Sequence, residues 1–138
     1  MFKKVLIPGL AASIAILIVG MLFSILTNQL FPDLNAEYQK AGLFRPWSDP
    51  LMSIFFVYPF LLGYGLAWVW DKVKALLTGS IWQRAWVLAL GYFVASTIPG
   101  MTITYSSFSV SLLMVLSWTI GGLVQVYCAG LVLSKMNS

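Results

Sequence analysis

Four long apolar runs make up most of this chain, and its few charges lie in the short stretches between them. The first run, Val5 to Leu26, holds no charged residue over about 22 positions, ~33 Å at the helical rise. The second follows Asp49-Pro50 and extends from Leu51 to Trp70. The third runs from Ile81 to Ile98, where Pro99-Gly100 is expected to stop it. The fourth, Leu112 to Leu133, closes before Lys135. Each approaches the roughly 20 residues that a helix needs to cross hydrocarbon. The pattern predicts an all-α integral membrane protein with transmembrane helices at about 5–26, 51–70, 81–98 and 112–133. They would form one up-down-up-down four-helix bundle occupying the whole of 1–138.

Local signals refine these elements. Pro8 falls in the first turn of the first span, where a missing N–H matters little. Lys3 and Lys4 before an apolar run also fit a signal peptide, but the run exceeds the usual apolar core and no small-x-small site follows it. An uncleaved anchor is the expectation. In the first connection, Pro32 to Ala41 puts Leu34, Tyr38 and Ala41 on one face and Asp33, Glu37 and Lys40 on the other. That is the pattern of a short interfacial helix ended by Gly42, with an irregular solvated loop as the equal alternative.

Asp49-Pro50 is a helix start, with a capping carboxylate followed by a proline at the first helical position. Pro59 predicts a kink near Phe55 to Tyr58. The second helix is expected to run on through Asp71 to Leu77 and end near Gly79. Ser80 with Gln83 matches a capping box. Met101 to Ser109 reads as an uncharged, hydroxyl-rich loop, extended around Thr102 to Tyr105. Gly63 with Ala67, Gly91 with Ala95, and Ser117, Gly121, Gly122 and Gly130 are the small residues expected at helix–helix or subunit contacts.

Composition rules out a soluble reading. Of 138 residues, 60% are apolar and 9% charged, against roughly 25% charged in soluble domains. The net charge of +4 is spread over span ends rather than gathered in a stripe, so no nucleic-acid partner is expected. The positive-inside rule places Lys3, Lys4, Lys72, Lys74, Arg84 and Lys135 on one side and Lys40 and Arg45 on the other. Both termini are therefore expected in the cytoplasm, with the protein in the plasma or inner membrane. Trp68, Trp70, Trp82 and Trp86 would form the inner aromatic belt, and Tyr38, Phe44 and Trp47 the outer one.

Candidate chemistry is sparse. There is no histidine and one cysteine, Cys128, so neither the commonest metal ligand nor an intrachain disulfide is present. No cofactor or metal is expected. An ionisable residue at bilayer depth, the usual mark of an intramembrane site, is missing from all four spans. In size alone the chain resembles the small four-helix proton-coupled exporters, without their membrane-embedded glutamate. It likewise resembles the glutathione-handling four-helix membrane enzymes in size, but has only Arg45 and Arg84, on opposite sides, as candidate membrane-edge arginines.

Two groups remain as candidate sites. Arg45, Trp47 and Asp49 suit an anion or a lipid headgroup, and Glu37 and Tyr105 would complete an outer cleft. The competing reading has Asp49 capping its helix, with Arg45 paired to it or to a lipid phosphate. Gln125 and Tyr58 are the candidate intramembrane polar site, for which an interhelical hydrogen bond is the simpler role. The leading expectation is a noncatalytic membrane protein in contact with lipid, a second copy or another membrane protein. The alternatives are a transporter or channel subunit, and a lipid-modifying enzyme.

Overall fold

A computed structural model describes residues 2–40 and 43–138. The described residues form helices and no strand. Helix α1 spans Phe2–Leu30 and α2 spans Pro32–Tyr38. A 3-10 helix, Pro50–Phe56, leads into α3, Tyr58–Val73, which tightens into a 3-10 turn at Lys74–Leu76. Helix α4, Ile81–Tyr92, passes through a π-helical turn, Phe93–Thr97, into α5, Ile98–Ser107. Helix α6 spans Leu112–Met136. Four continuous stretches, Lys3–Leu30, Pro50–Leu76, Ile81–Ser107 and Leu112–Met136, are long and apolar enough to cross a membrane. The residues expected to end α2 and complete its face, Gly42 and Ala41, lie outside the described residues.

Prolines explain the irregular turns. Pro99 has no N–H for the carbonyl of Ala95, four residues back, and its ring crowds that carbonyl. The helix answers by widening: the Ile98 N–H reaches the carbonyl of Phe93, five residues back, and the coil continues. The expected stop at Pro99-Gly100 is thereby corrected, and so is the expected loop over Met101 to Ser107, while Phe108 and Ser109 do leave the helix. Thr102 and Thr104 return their hydroxyls to the carbonyls of Ile98 and Gly100, at 2.8 and 2.9 Å, so these side chains consume their own polarity within the helix. Pro59 similarly marks a change of winding. It sits in the first turn of α3, directly after the 3-10 stretch, where no N–H is demanded of it. Pro8 corrects the expectation in the other direction. Because α1 begins at Phe2, Pro8 lies inside the helix and leaves the Lys4 carbonyl without its usual partner.

The capping signals hold in detail. Asp49 Oδ1 accepts the Leu51 N–H at 2.9 Å. Ser80 and Gln83 form both bonds of a capping box, and Gly79 turns the chain before it with a φ of 102°, a backbone setting that favours glycine.

Helices α1 and α6 are the central pair, with α3 on the far side of α1 and α4–α5 on the far side of α6. Small residues set the spacing. A Cβ on Gly63 would lie 2.7 Å from the Ser13 Cα, and one on Gly9 would lie 2.6 Å from the Tyr64 ring and 3.3 Å from the Ala67 Cβ. Gly9 and Ser13 of α1 are thus the counterpart of Gly63 and Ala67 of α3. On α6, Gly121 admits Phe23, and Gly130 lies against the backbone of Ala85. Gly91 behaves otherwise: it has open space where a side chain would go, and both it and Ala95 are exposed. Neither residue is therefore buried in a helix contact among the described residues. The buried centre runs from Ala12 and Ile16 through Leu66, Ala67 and Trp70 to Val126, Ala129 and Leu133.

Gly63→Val should therefore destabilise the fold by about 1–3 kcal/mol, seen as a lowered thermal midpoint in detergent. Gly91→Val, with room for its side chain, should leave the midpoint near that of the unaltered protein.

Candidate functional site

Polar chemistry gathers at three places: the two ends of the helices and one contact between them. The richest lies just past the end of α6. Asn137 is 7% exposed. Its Nδ2 donates to the stranded carbonyl of Lys4 at 3.3 Å and to Asp71 Oδ1 at 3.1 Å. Its Oδ1 accepts from Lys74 Nζ, and its backbone carbonyl accepts the Trp70 indole N–H at 2.7 Å. One side chain and one carbonyl thus tie α1, α3 and α6 together. Lys74 also pairs with Asp71 at 3.5 Å. Trp70 is fully buried, so it serves this hub and presents no ring to the surface as a belt residue would, whereas Trp68, Trp82 and Trp86 are exposed. The Arg84 guanidinium lies over the Trp70 ring, 5.0 Å from its centre, and Nη2 donates to the Lys74 carbonyl at 3.3 Å.

At the opposite end, α2 is docked on the start of α6. Glu37 Oε2 accepts the Ser111 N–H at 2.9 Å, and the Trp118 indole donates to the Tyr38 hydroxyl. Phe44 stacks on Tyr38 at 5.3 Å and meets Trp118 edge-on at 6.2 Å. Burial pushes the Tyr38 hydroxyl above its ordinary value of 10.0, with Glu37 adding to that and the Trp118 bond opposing it. The folded state thus holds this proton more tightly than the unfolded chain. The contribution of this hydroxyl to the docking is constant below about 10 and falls as pH rises beyond it.

Arg45 and Asp49 pair at 3.0 Å, with Arg45 well exposed. The Asp49 carboxylate is divided between this bond and its capping role. Exposed pairs of this kind contribute about 0–1 kcal/mol. Trp47 packs edge-on to Phe55 at 5.6 Å and against Phe56 at 5.9 Å, and remains 65% exposed. Glu37 lines an open groove of about 500 Å³ with Asp33, Lys40 and Ser111. Tyr105 lines a different groove of about 340 Å³ between α5 and α6. Arg45 and Asp49 line neither.

Between the ends, Gln125 Nε2 donates to the Ile16 carbonyl of α1 at 3.1 Å. Gly20 makes this possible, since a Cβ there would lie 2.2 Å from that nitrogen. Tyr58 is exposed at the start of α3. Among the described residues, no three acidic or cysteine side chains gather where they could hold a metal ion.

Sequence reasoning missed Asn137, Trp118, Gly9, Ser13 and Gly20. Pro8 inside a helix was the available signal for Asn137, because it implies a carbonyl in need of a donor. No local pattern says which distant residue supplies that donor. Removing it in Asn137→Leu should lower stability by about 2–3 kcal/mol, since the Lys4 carbonyl, Asp71 and Lys74 all lose a partner. Denaturant titration against the unaltered protein measures this.

No protein-family model, curated protein or solved structure matches this chain.

Proposed function

We propose that this chain is a noncatalytic integral membrane protein that works by contact with lipid and with other membrane-embedded protein. It crosses the bilayer four times in up-down-up-down order. Both termini are cytoplasmic at the cell membrane, and α2 lies on the outer surface.

The observation that carries this reading is the division of labour among its polar groups. Between the two ends, the helix flanks are covered by exposed apolar side chains such as Ile18, Leu22, Leu61, Val94 and Ile120. The one amide in that zone of α6, Gln125, is committed to a helix–helix bond. Charges lie at the ends, where capping, docking and ion pairing engage Asp49, Glu37 and Asp71. A surface of this kind meets hydrocarbon favourably and leaves little free machinery for acid–base chemistry. The end with six basic residues and one acidic residue would face the cytoplasm, and the end with two basic and three acidic residues would face out.

Single cysteines in a Cys128→Ala background test this order. A cysteine at position 40 should react with an impermeant maleimide in intact cells, and one at position 72 should react only after the membrane is opened. Reaction of both from the same side would sink the topology. Lipid composition, followed by mass spectrometry in vesicles holding the purified protein, should stay constant over time. Conversion of any lipid class would overturn the noncatalytic reading.

A further inference from the structure

We infer that the corner formed by Arg84, Trp70 and the lysines around Asn137 is a seat for the phosphate of an anionic lipid headgroup. This rests on the membrane reading above and gives it a specific partner. The guanidinium of Arg84 is held in place rather than free: it lies over the indole of Trp70 and is anchored through Nη2 to the Lys74 carbonyl. Among the described residues that is its one hydrogen bond. Its Nε is enclosed with no acceptor, and the ion pairs found are Arg45–Asp49 and Lys74–Asp71, so no carboxylate answers its charge. A cation that is partly withdrawn from water and lacks a counter-ion calls for an external anion.

The surroundings define which anion. Asp71, the one acidic side chain at this end among the described residues, is already bound by Lys74 and Asn137. Lys3, Lys4, Lys72 and Lys135 are exposed there and pair with no described carboxylate. Trp82 and Trp86 are exposed beside Arg84 in the sequence, and Trp86 packs on Tyr127 at 4.7 Å. Indoles of this kind favour the headgroup level of a bilayer. Arg84 therefore sits at the depth of lipid phosphates, and with Nε enclosed and Nη2 bonded to Lys74, Nη1 is the nitrogen left to meet a phosphate oxygen. The lysines add a sequence-independent attraction for lipids of net negative charge.

The test uses the full chain in nanodiscs of equal phosphatidylglycerol and phosphatidylcholine, released into mild detergent, with retained lipids identified by native mass spectrometry. The unaltered protein should retain phosphatidylglycerol over phosphatidylcholine by about fivefold, the effect of roughly one surface cation. Arg84→Gln should remove the larger part of that preference. Since Arg84 also packs on Trp70, the pair Lys72→Gln with Lys135→Gln, both exposed, offers a second variant with the core intact, and it should lower the ratio too. Arg45→Gln, at the opposite end, should retain the original preference. Equal retention by the unaltered protein, or a preference surviving both altered forms, overturns the proposal while the membrane reading stands. Stabilisation by inorganic phosphate alone, lost in Arg84→Gln, also overturns it by making the occupant a free anion. Failure to enter nanodiscs overturns both readings together.

Discussion

A proline inside a helix leaves a carbonyl without its N–H, and much of this fold is arranged around that constraint. Three of the four prolines in the long helical stretches, all but Pro50 at a first position, meet it in three ways. At Pro8 the freed carbonyl of Lys4 is bonded by the side chain of Asn137, more than a hundred residues away in sequence. At Pro99 the helix widens to a π turn and continues. At Pro59 the winding changes from 3-10 to α, so that the ring falls in a first turn. The first solution has the widest consequence, because the same side chain also binds Asp71 and Lys74 and the backbone carbonyl of Asn137 binds Trp70. A local backbone defect in α1 thereby becomes the point where α1, α3 and α6 are joined. Because Asn137 is buried, this is worth more than the same bond at a wet surface, since the alternative is an unpaired carbonyl.

Side-chain size sets the remaining geometry. Close approach between helices, with the dispersion it brings, demands small residues at the contact. The α1–α3 contact meets that demand with Gly9 and Ser13 facing Gly63 and Ala67, and the α4–α6 contact with Ala85 facing Gly130. Gly20 plays a different part. It opens a gap for an amide, and Gln125 fills that gap with a hydrogen bond to the Ile16 carbonyl. Close packing and polar bonding are therefore successive steps along one α1–α6 seam. Phe23 against Gly121 extends the same seam toward the other end.

Much of this was legible in the letters, and what was legible was local. Apolar run lengths gave the four long helical stretches. The Asp49-Pro50 start and the Ser80–Gln83 capping box each involve residues within three positions, and each formed as the residue types require. Pro99-Gly100 misled because proline was weighed as a terminator. Within a long apolar stretch, continuing the helix through one wide turn leaves fewer backbone groups unpaired than stopping it. Trp70 misled because four tryptophans near one end look alike in sequence, while only that one reaches Asn137. The Gly91–Ala95 spacing equals that of Gly63–Ala67, yet only the latter is buried in a helix contact among the described residues. Spacing specifies a face; which face meets which helix is decided by pairings far apart in sequence.

The candidate sites sort by the same logic. Arg45 and Asp49 are conspicuous in sequence and nearly self-sufficient in space: the carboxylate caps a helix and accepts the guanidinium, which neutralises both. Arg84 is inconspicuous in sequence, one basic residue among several, yet its environment is unbalanced. It has an aromatic face beneath it, a single carbonyl acceptor and no carboxylate. An ion that is already paired makes weak demands on a ligand, whereas a held but unpaired one makes strong demands. The residue to follow is therefore the one whose interactions are incomplete, and the two ends of the molecule differ in this respect. One end spends Asp49 on capping and Glu37 on docking, while the other gathers positive charge beside exposed indoles.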